Sequence, residues 1–439
     1  MLNLPVRLLG VLLYCFCSFA FSSPASAQSY EKLYSDYRDS LYQIRLIEKS
    51  SNSKAGLGSG FQISPDGLIA TNYHVVAEAV RAPDKYQLEY LSVDGTKGKL
   101  TLLDIDVIND LALLQQDKPG PDHLLLAEDT PKKGETIISL GNPLDLGMTL
   151  IPGTYNGIAS GSFYDRIHFA GSINPGMSGG PAINTRGRVV GINVATAGNQ
   201  VSFLVPVEKL AALLKHFRTQ NNKLDLKQVT YQQLLANQRR IIDAVLKAEW
   251  SKRSLGEAKV VGEIVPAIQC WGNTLEDDDN PVKRIDKGCT GQDVVFLADD
   301  FNTGRVEYEF FWLEADDKLL PSRFYAEYEA QMSSFYPGNS AGEDDVTNFR
   351  CKQAFTSQAR DGEASPSKPA HNKMEPTIAR TSYCVRRYKD FPDLYDIFFL
   401  SLSVDQKNRA LVSHFTLSGF TRESAAAFTE KFTSEIQWH

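Results

Sequence analysis

Several segments between Ser40 and Val107 show the apolar-polar alternation or β-branched content of strands with one buried face. Ser40-Leu-Tyr-Gln-Ile-Arg-Leu-Ile reads as a first strand, after a polar lead-in from Tyr30 that is helical or extended. Gly56 to Gly60 reads as a glycine-rich turn into the strand that ends at His74. Within GSGFQISPDGLIAT, apolar and polar residues alternate around Pro65-Asp66-Gly67, the signature of a hairpin. Tyr86 to Val93 and Leu100 to Val107 continue the pattern, and Gly134 to Pro143 opens a second set. The period then changes. Leu210, Leu213, Leu214 and Phe217 fall at i, i+3, i+4 and i+7, which predicts a helix from Pro206 to Thr219 with a packing role.

Beyond the polar break at Asn221 to Asp225, Thr230-Tyr-Gln-Gln233 has capping-box form and predicts the start of a long connector helix. Its apolar stripe comprises Leu234, Leu235, Ile241, Ile242, Val245, Leu246 and Trp250. Val260 to Phe311 is rich in strand formers, and Arg305-Val-Glu-Tyr-Glu-Phe-Phe-Trp alternates like a half-buried strand. Gly338 to Asp345 and Asp361 to Pro376 read as loops, and Asp396 to Phe420 as a hairpin turning at Gln406 to Asn408. Thr421 to Ile436 follows as an amphipathic helix with Ala427, Phe428 and Phe432 on one face. These elements predict a second domain of α+β class, over residues 258–439, joined by a helical connector at 221–257.

Composition adds the setting. The chain has 439 residues, enough for two or three domains with their own cores, and 42% hydrophobic residues, which is ordinary for a globular protein. A net charge of −7 gives no reason to propose nucleic acid as a partner, and no polybasic run suggests a membrane surface. Residues 1–27 form a leader: Arg7, an apolar core from Leu8 to Phe21, and Pro24-Ala25-Ser26-Ala27 with an A-x-A cleavage signature. The expectation is export to the periplasm or the medium, with Gln28 as the mature N-terminus and no membrane span after its removal; a retained membrane anchor is the rival reading. Of six cysteines, Cys15 and Cys17 lie in the leader, which leaves Cys270, Cys289, Cys351 and Cys384. In an oxidising compartment an even number favours disulfides, and the two local closures, Cys270–Cys289 and Cys351–Cys384, are the expected pairings. No CxxC or neighbouring histidine supports a zinc site. The acidic runs Glu276–Asp279 and Asp299–Gly304 lack the spacing of a calcium loop and read as solvated loops.

Candidate chemistry sits in three segments. In SINPGMSGGP, Ser178 is flanked by glycines that allow positive φ and close approach of the backbone to a substrate. The N–H groups of Gly176 and Ser178 could stabilise the oxyanion formed when a carbonyl is attacked. TNYHVV places His74 just past a strand, where a short apolar helical turn can fix its ring. NDLALL places Asp110 directly before an apolar run, where a carboxylate is partly buried. Singly, each has a plainer structural reading. Together they supply the nucleophile, base and orienter of a Ser-His-Asp triad in the chain order His, Asp, Ser.

These motifs, with GETIISLGNPLDLGMTLIPGTYNGI and GRVVGINVAT, run in register from about Gly56 to Val207 and resemble the trypsin-like serine proteases of the bacterial Deg/HtrA type. The resemblance implies an all-β double barrel of chymotrypsin topology over residues 28–220, with a C-terminal helix and an active site between the barrels. It assigns His74 as general base, Asp110 as its orienter, Ser178 as nucleophile, and the Gly176 and Ser178 amides as oxyanion hole. Pro119 to Pro131 becomes the connection between barrels. Ser172, six residues before the nucleophile, becomes the floor of the primary specificity pocket, and Asn193, Val194, Ala195 and Thr196 its wall. A small neutral floor argues for small or medium apolar side chains over basic ones.

One position departs from the family. Met177 stands where a polar residue usually precedes the serine, and methionine cannot pair with a newly cut N-terminus. No carboxylate-binding loop of a PDZ domain follows the protease region. Trimers occur in the family, so a homo-oligomer is an expectation of the resemblance, although its aromatic N-terminal trimerisation segment is not clearly present. The expected activity is endopeptidase action on polypeptides through an acyl-enzyme, with no metal or organic cofactor. The alternative is a weakly active or inactive scaffold whose C-terminal domain binds a protein or envelope ligand.

Overall fold

The computed structural model describes residues 29–438, except 197, 199, 221–223, 276–280, 292, 334, 359–376 and 405. A short helix, α1 (Tyr30–Tyr37), precedes two barrels. The first is built from β1 (Leu41–Glu48), β2 (Ser53–Gln62), β3 (Leu68–Thr71), β4 (Tyr86–Ser92), β5 (Lys97–Asp106) and β6 (Leu111–Gln116). They close in the order β1-β2-β3-β6-β5-β4, every pairing antiparallel. The second comprises β7 (Thr136–Gly141), β8 (Thr149–Ile158), β9 (Ile167–Ala170), β10 (Pro181–Asn184), β11 (Val189–Thr196) and β12 (Ser202–Pro206), closed as β10-β11-β12-β9-β8-β7. Closure leaves neither sheet a free edge.

Strand periodicity explains how the barrels meet. In β6, Ala112 and Leu114 point into the first barrel, whereas Leu111 and Leu113 join Ile138, Leu140, Ile183 and Val205 of the second in one shared core. The helix expected from Pro206 is present as α3 (Val207–Thr219) and buries Leu210 and Leu213 in that same core. Gly56 to Gly60, expected as a turn, lies instead inside β2. The reason is the approach of the next helix, α2 (Tyr73–Arg81): a Cβ at Gly58 would stand 2.5 Å from Val75 Cγ2.

The connector, α4 (Leu226–Lys247), starts earlier than its capping-box pattern suggests. Asp225 is the cap, its carboxylate accepting from the N–H groups of Lys227 and Gln228 at 3.1 and 3.2 Å. Thr230 lies within the helix and donates its hydroxyl to Leu226 O. Gln233 is spent elsewhere, accepting from the Val107 N–H and donating to Ile105 O, both at 2.8 Å. It thereby ties α4 to the end of β5.

The rest of the chain forms β13 (Lys252–Leu255), β14 (Ala258–Val261), β15 (Ile268–Leu275), β16 (Val282–Gly291), the hairpin β17 (Val295–Ala298) and β18 (Phe301–Thr303), then β19 (Val306–Ala315). After α5 (Pro321–Met332) come β20 (Arg350–Gln358), β21 (Thr377–Arg387), β22 (Tyr395–Ser403), β23 (Arg409–Phe420), α6 (Arg422–Ser434) and β24 (Gln437–Trp438). Seven of these strands make one antiparallel sheet, β15-β16-β19-β23-β22-β21-β20. Cys270–Cys289 bridges facing residues of β15 and β16, and Cys351–Cys384 those of β20 and β21. On α6 the buried face is Ala425, Phe428 and Phe432, not Ala427, because positions three and seven apart share a helical face. Phe428 and Phe432 pack against Phe415 of the sheet.

No break in packing separates the first barrel from this region. Tyr73, Val76 and Val80 of α2, Leu234 of α4, and Val295, Leu297, Ala298 and Phe301 of the β17–β18 hairpin share one buried cluster with the barrel interior. An Arg81–Asp345 ion pair crosses the same junction. Of the two acidic runs, Glu276–Asp279 lies outside the described residues, and Asp299–Gly304 runs through the turn into β18. Among the described residues no helix is long and apolar enough to cross a membrane.

Candidate active site

The three candidate residues come from three junctions of regular structure. His74 is the second residue of α2, directly after β3; Asp110 ends the β5–β6 turn; Ser178 lies between β9 and β10. Asp110 holds a left-handed backbone at φ 62°, uncommon for a residue with a side chain and costing about 1–3 kcal/mol. That conformation aims both carboxylate oxygens at His74. Oδ1 accepts the His74 backbone N–H at 2.9 Å, and Oδ2 lies 2.7 Å from the ring Nδ1. The first of these caps α2 in place of Asn72, whose own side chain donates to Asp110 O at 2.7 Å. Asp110 thus orients the imidazole through both its helix and its ring, and its side chain is only 12% exposed.

The charge state of His74 follows from this environment. Burial disfavours the imidazolium, but the field and hydrogen bond of Asp110, joined by Asp299, outweigh it and raise the pKa above the ordinary 6.5. A base must be neutral to accept a proton. The acid limb of any His74-dependent activity is therefore expected above pH 6.5, and should move to lower pH in Asp299→Asn. A pH profile of kcat/KM for both proteins checks this.

The Ser178 loop is clamped from the first barrel. The Ser59 N–H donates to Ser178 O and the Ser59 hydroxyl to Gly176 O, both at 2.7 Å. Ser59 Oγ also accepts the Asn142 N–H at 2.9 Å. The sequence signal for Ser59 is its place in the glycine-flanked run Gly58-Ser59-Gly60-Phe61. Among the described residues, the N–H groups of Gly176 and Ser178 have no hydrogen-bond partner, which leaves both free to receive an anion. Gly176 takes φ 93°, and a Cβ there would lie 2.4 Å from Asn142 O. Gly176→Ala is expected to displace one of the two donors and lower kcat by about 10²–10³-fold, measured on a peptide substrate.

Met177 has a structural role. It is fully buried in the second barrel, packed with Ile137, Tyr155, Phe169 and Leu204. The side chain that cannot form an ion pair serves as an apolar anchor one residue before Ser178. Ser178 Oγ itself donates to Val194 O at 3.2 Å, and among the described residues no hydrogen bond joins it to His74.

The expected pocket wall is only partly in place. Ser172 is exposed, and Val194 lines the cleft beside His74. Asn193 is no wall: its side chain is buried inside the second barrel, accepting from Ser139 Oγ and donating to Leu140 O and Met177 O. Its neighbour Val194, at a register shift in β11, is half-buried and lines the cleft instead. Ala195 and Thr196 belong to β11, and their side chains lie outside the described residues.

Two closed barrels of this topology with His74, Asp110 and Ser178 at their junction define a chymotrypsin-like fold. Residues 58–192 match the family described as Trypsin-like peptidase domain. Serine protease HTRA3 of Rattus norvegicus is 29% identical over 237 residues, covering 52% of this chain and 51% of that protein. The probable periplasmic serine endoprotease DegP-like of Chlamydia pneumoniae is 33% identical over 163 residues, covering 36% and 32%. The crystal structure of the serine endoprotease from Yersinia pestis aligns at 25% identity and a TM-score of 0.38, over 43% of this chain and 66% of that one. The first-barrel and second-barrel strands within residues 58–192 thus match a trypsin-like peptidase domain, and the curated relatives that the chain resembles there are HtrA and DegP-like serine proteases. The chain spans about half or less of the length of the curated relatives it matches.

Proposed function

We propose that this chain is an exported serine endopeptidase that cleaves polypeptides through an acyl-enzyme. Ser178 Oγ turns from Val194 O toward His74 and attacks the scissile carbonyl while His74 Nε2 takes its proton. The Gly176 and Ser178 N–H groups receive the developing oxyanion, and Asp110 stabilises the imidazolium. His74 then protonates the leaving amine, and water attacks the ester by the reverse route. The division of labour assigned to the chain is a leader at 1–27, the protease at 28–220, a connector at 221–257 and the C-terminal domain at 258–439.

The observation that carries this reading is the pairing of both Asp110 oxygens with His74 opposite two unpartnered amides beside Ser178. Export is supported by the leader sequence and by two disulfides. The second reading, a weakly active scaffold, draws on one fact: Ser178 Oγ is bonded to Val194 O instead of His74. Digestion of a denatured protein by the full mature chain separates the two. Fragments that appear with the wild type and vanish with Ser178→Ala support the protease; equal, negligible cleavage by both supports the scaffold.

A further inference from the structure

The segment Asp293-Val-Val-Phe-Leu-Ala298 belongs to the C-terminal region, yet it lies against the helix that carries His74. Val295, Leu297 and Ala298 are buried with Tyr73, Val76 and Val80 of α2, and the Tyr73 hydroxyl reaches Leu297 O at 3.5 Å. Phe296, between Val295 and Leu297, packs partly against the same cluster and also lines the cleft beside His74. Its ring meets the His74 ring edge-on, with centroids 5.9 Å apart and planes at 73°. Ile108, Val194 and Phe296 line the same opening together with His74, and the charged Arg166 and Asp293 line it too. Phe296 thus flanks an open, largely apolar cleft and does not close it.

We propose that Phe296 is a specificity-determining residue: the C-terminal domain supplies one wall of the substrate cleft and selects a bulky apolar side chain next to the scissile bond. The inference rests on the endopeptidase reading above. A substrate Leu, Met or Phe placed between Phe296, Ile108 and the His74 ring buries apolar surface on three sides. A Ser or Asn in the same place gives up water without gaining a partner. The wall is rigid because the β17–β18 hairpin shares the core of the first barrel.

The test uses the full mature chain, Phe296→Ala and Phe296→Leu, each checked for folding by thermal unfolding. Each is assayed on peptide pairs that differ only by Leu or Ser at the positions flanking the cut bond. The wild type is expected to favour Leu at one of these positions. Phe296→Ala should lower that Leu-over-Ser ratio of kcat/KM about tenfold, the scale of one lost apolar contact, and Phe296→Leu should retain most of it. An unchanged ratio in Phe296→Ala overturns the proposal. So does a rise in turnover of every peptide alike, which would mark Phe296 as a plug. If the wild type lacks cleavage that depends on Ser178, the endopeptidase reading itself fails and this proposal with it.

Discussion

Ser178→Ala is expected to lower peptide turnover by about four orders of magnitude or more, with the fold intact. The loss is large because the variant keeps everything except the atom that forms the ester. Loop geometry does not depend on the hydroxyl: the Ser178 carbonyl is held by the Ser59 N–H at 2.7 Å, and Met177 stays buried in the second barrel. Among the described residues, the one bond the hydroxyl makes is to Val194 O at 3.2 Å. Thermal unfolding close to wild type, with hydrolysis reduced to the residual that the oxyanion hole and binding supply, is the expected pair of results. Hydrolysis near wild type would remove Ser178 from the mechanism.

Asp110→Asn should cost about 10³–10⁴-fold in kcat. Both carboxylate oxygens now accept, one from the His74 backbone N–H and one at Nδ1. An amide has only one oxygen. If that oxygen stays on the helix, the NH₂ faces Nδ1, which must then be unprotonated, and the proton moves to Nε2 where a base is needed. If the oxygen turns to the ring, the NH₂ opposes the helix N–H and α2 loses its cap. Either way the imidazolium also loses its counter-ion, so the acid limb moves to lower pH. A kcat loss without that displacement would mean that Asp110 acts only by holding the fold.

The local parts of this molecule are legible in its sequence where one period dominates. The first hairpin pairs Phe61 with Ala70, on either side of the Pro65-Asp66-Gly67 turn. The i, i+3, i+4, i+7 pattern of α3 is the face that packs between barrels. Both disulfides are local closures between neighbouring strands, so short spacing was a usable guide. Legibility fails where two local explanations compete. Asp225 and Thr230 are both good caps, and the choice was made by Gln233, whose amide is held by the far end of β5. Asn193 looked like a pocket residue because it lies in the right strand. Its burial goes with hydrogen bonds to Ser139 Oγ and to the carbonyls of Leu140 and Met177, partners that no local pattern shows. The approach of Phe296 to His74 joins the first barrel to the C-terminal region across most of the chain between them. No local pattern records such a contact; the strand-rich composition of Val260 to Phe311 shows only that strands are there.

The most direct measurement is labelling of the full mature chain with a fluorophosphonate, followed by mass mapping of the adduct. The probe reacts with a serine only when base and oxyanion donors act on it together. The account predicts a single adduct on Ser178, absent from Ser178→Ala and strongly slowed in Asp110→Asn. A folded wild-type chain that takes no label, or takes it equally well in the Ser178→Ala variant, would contradict it.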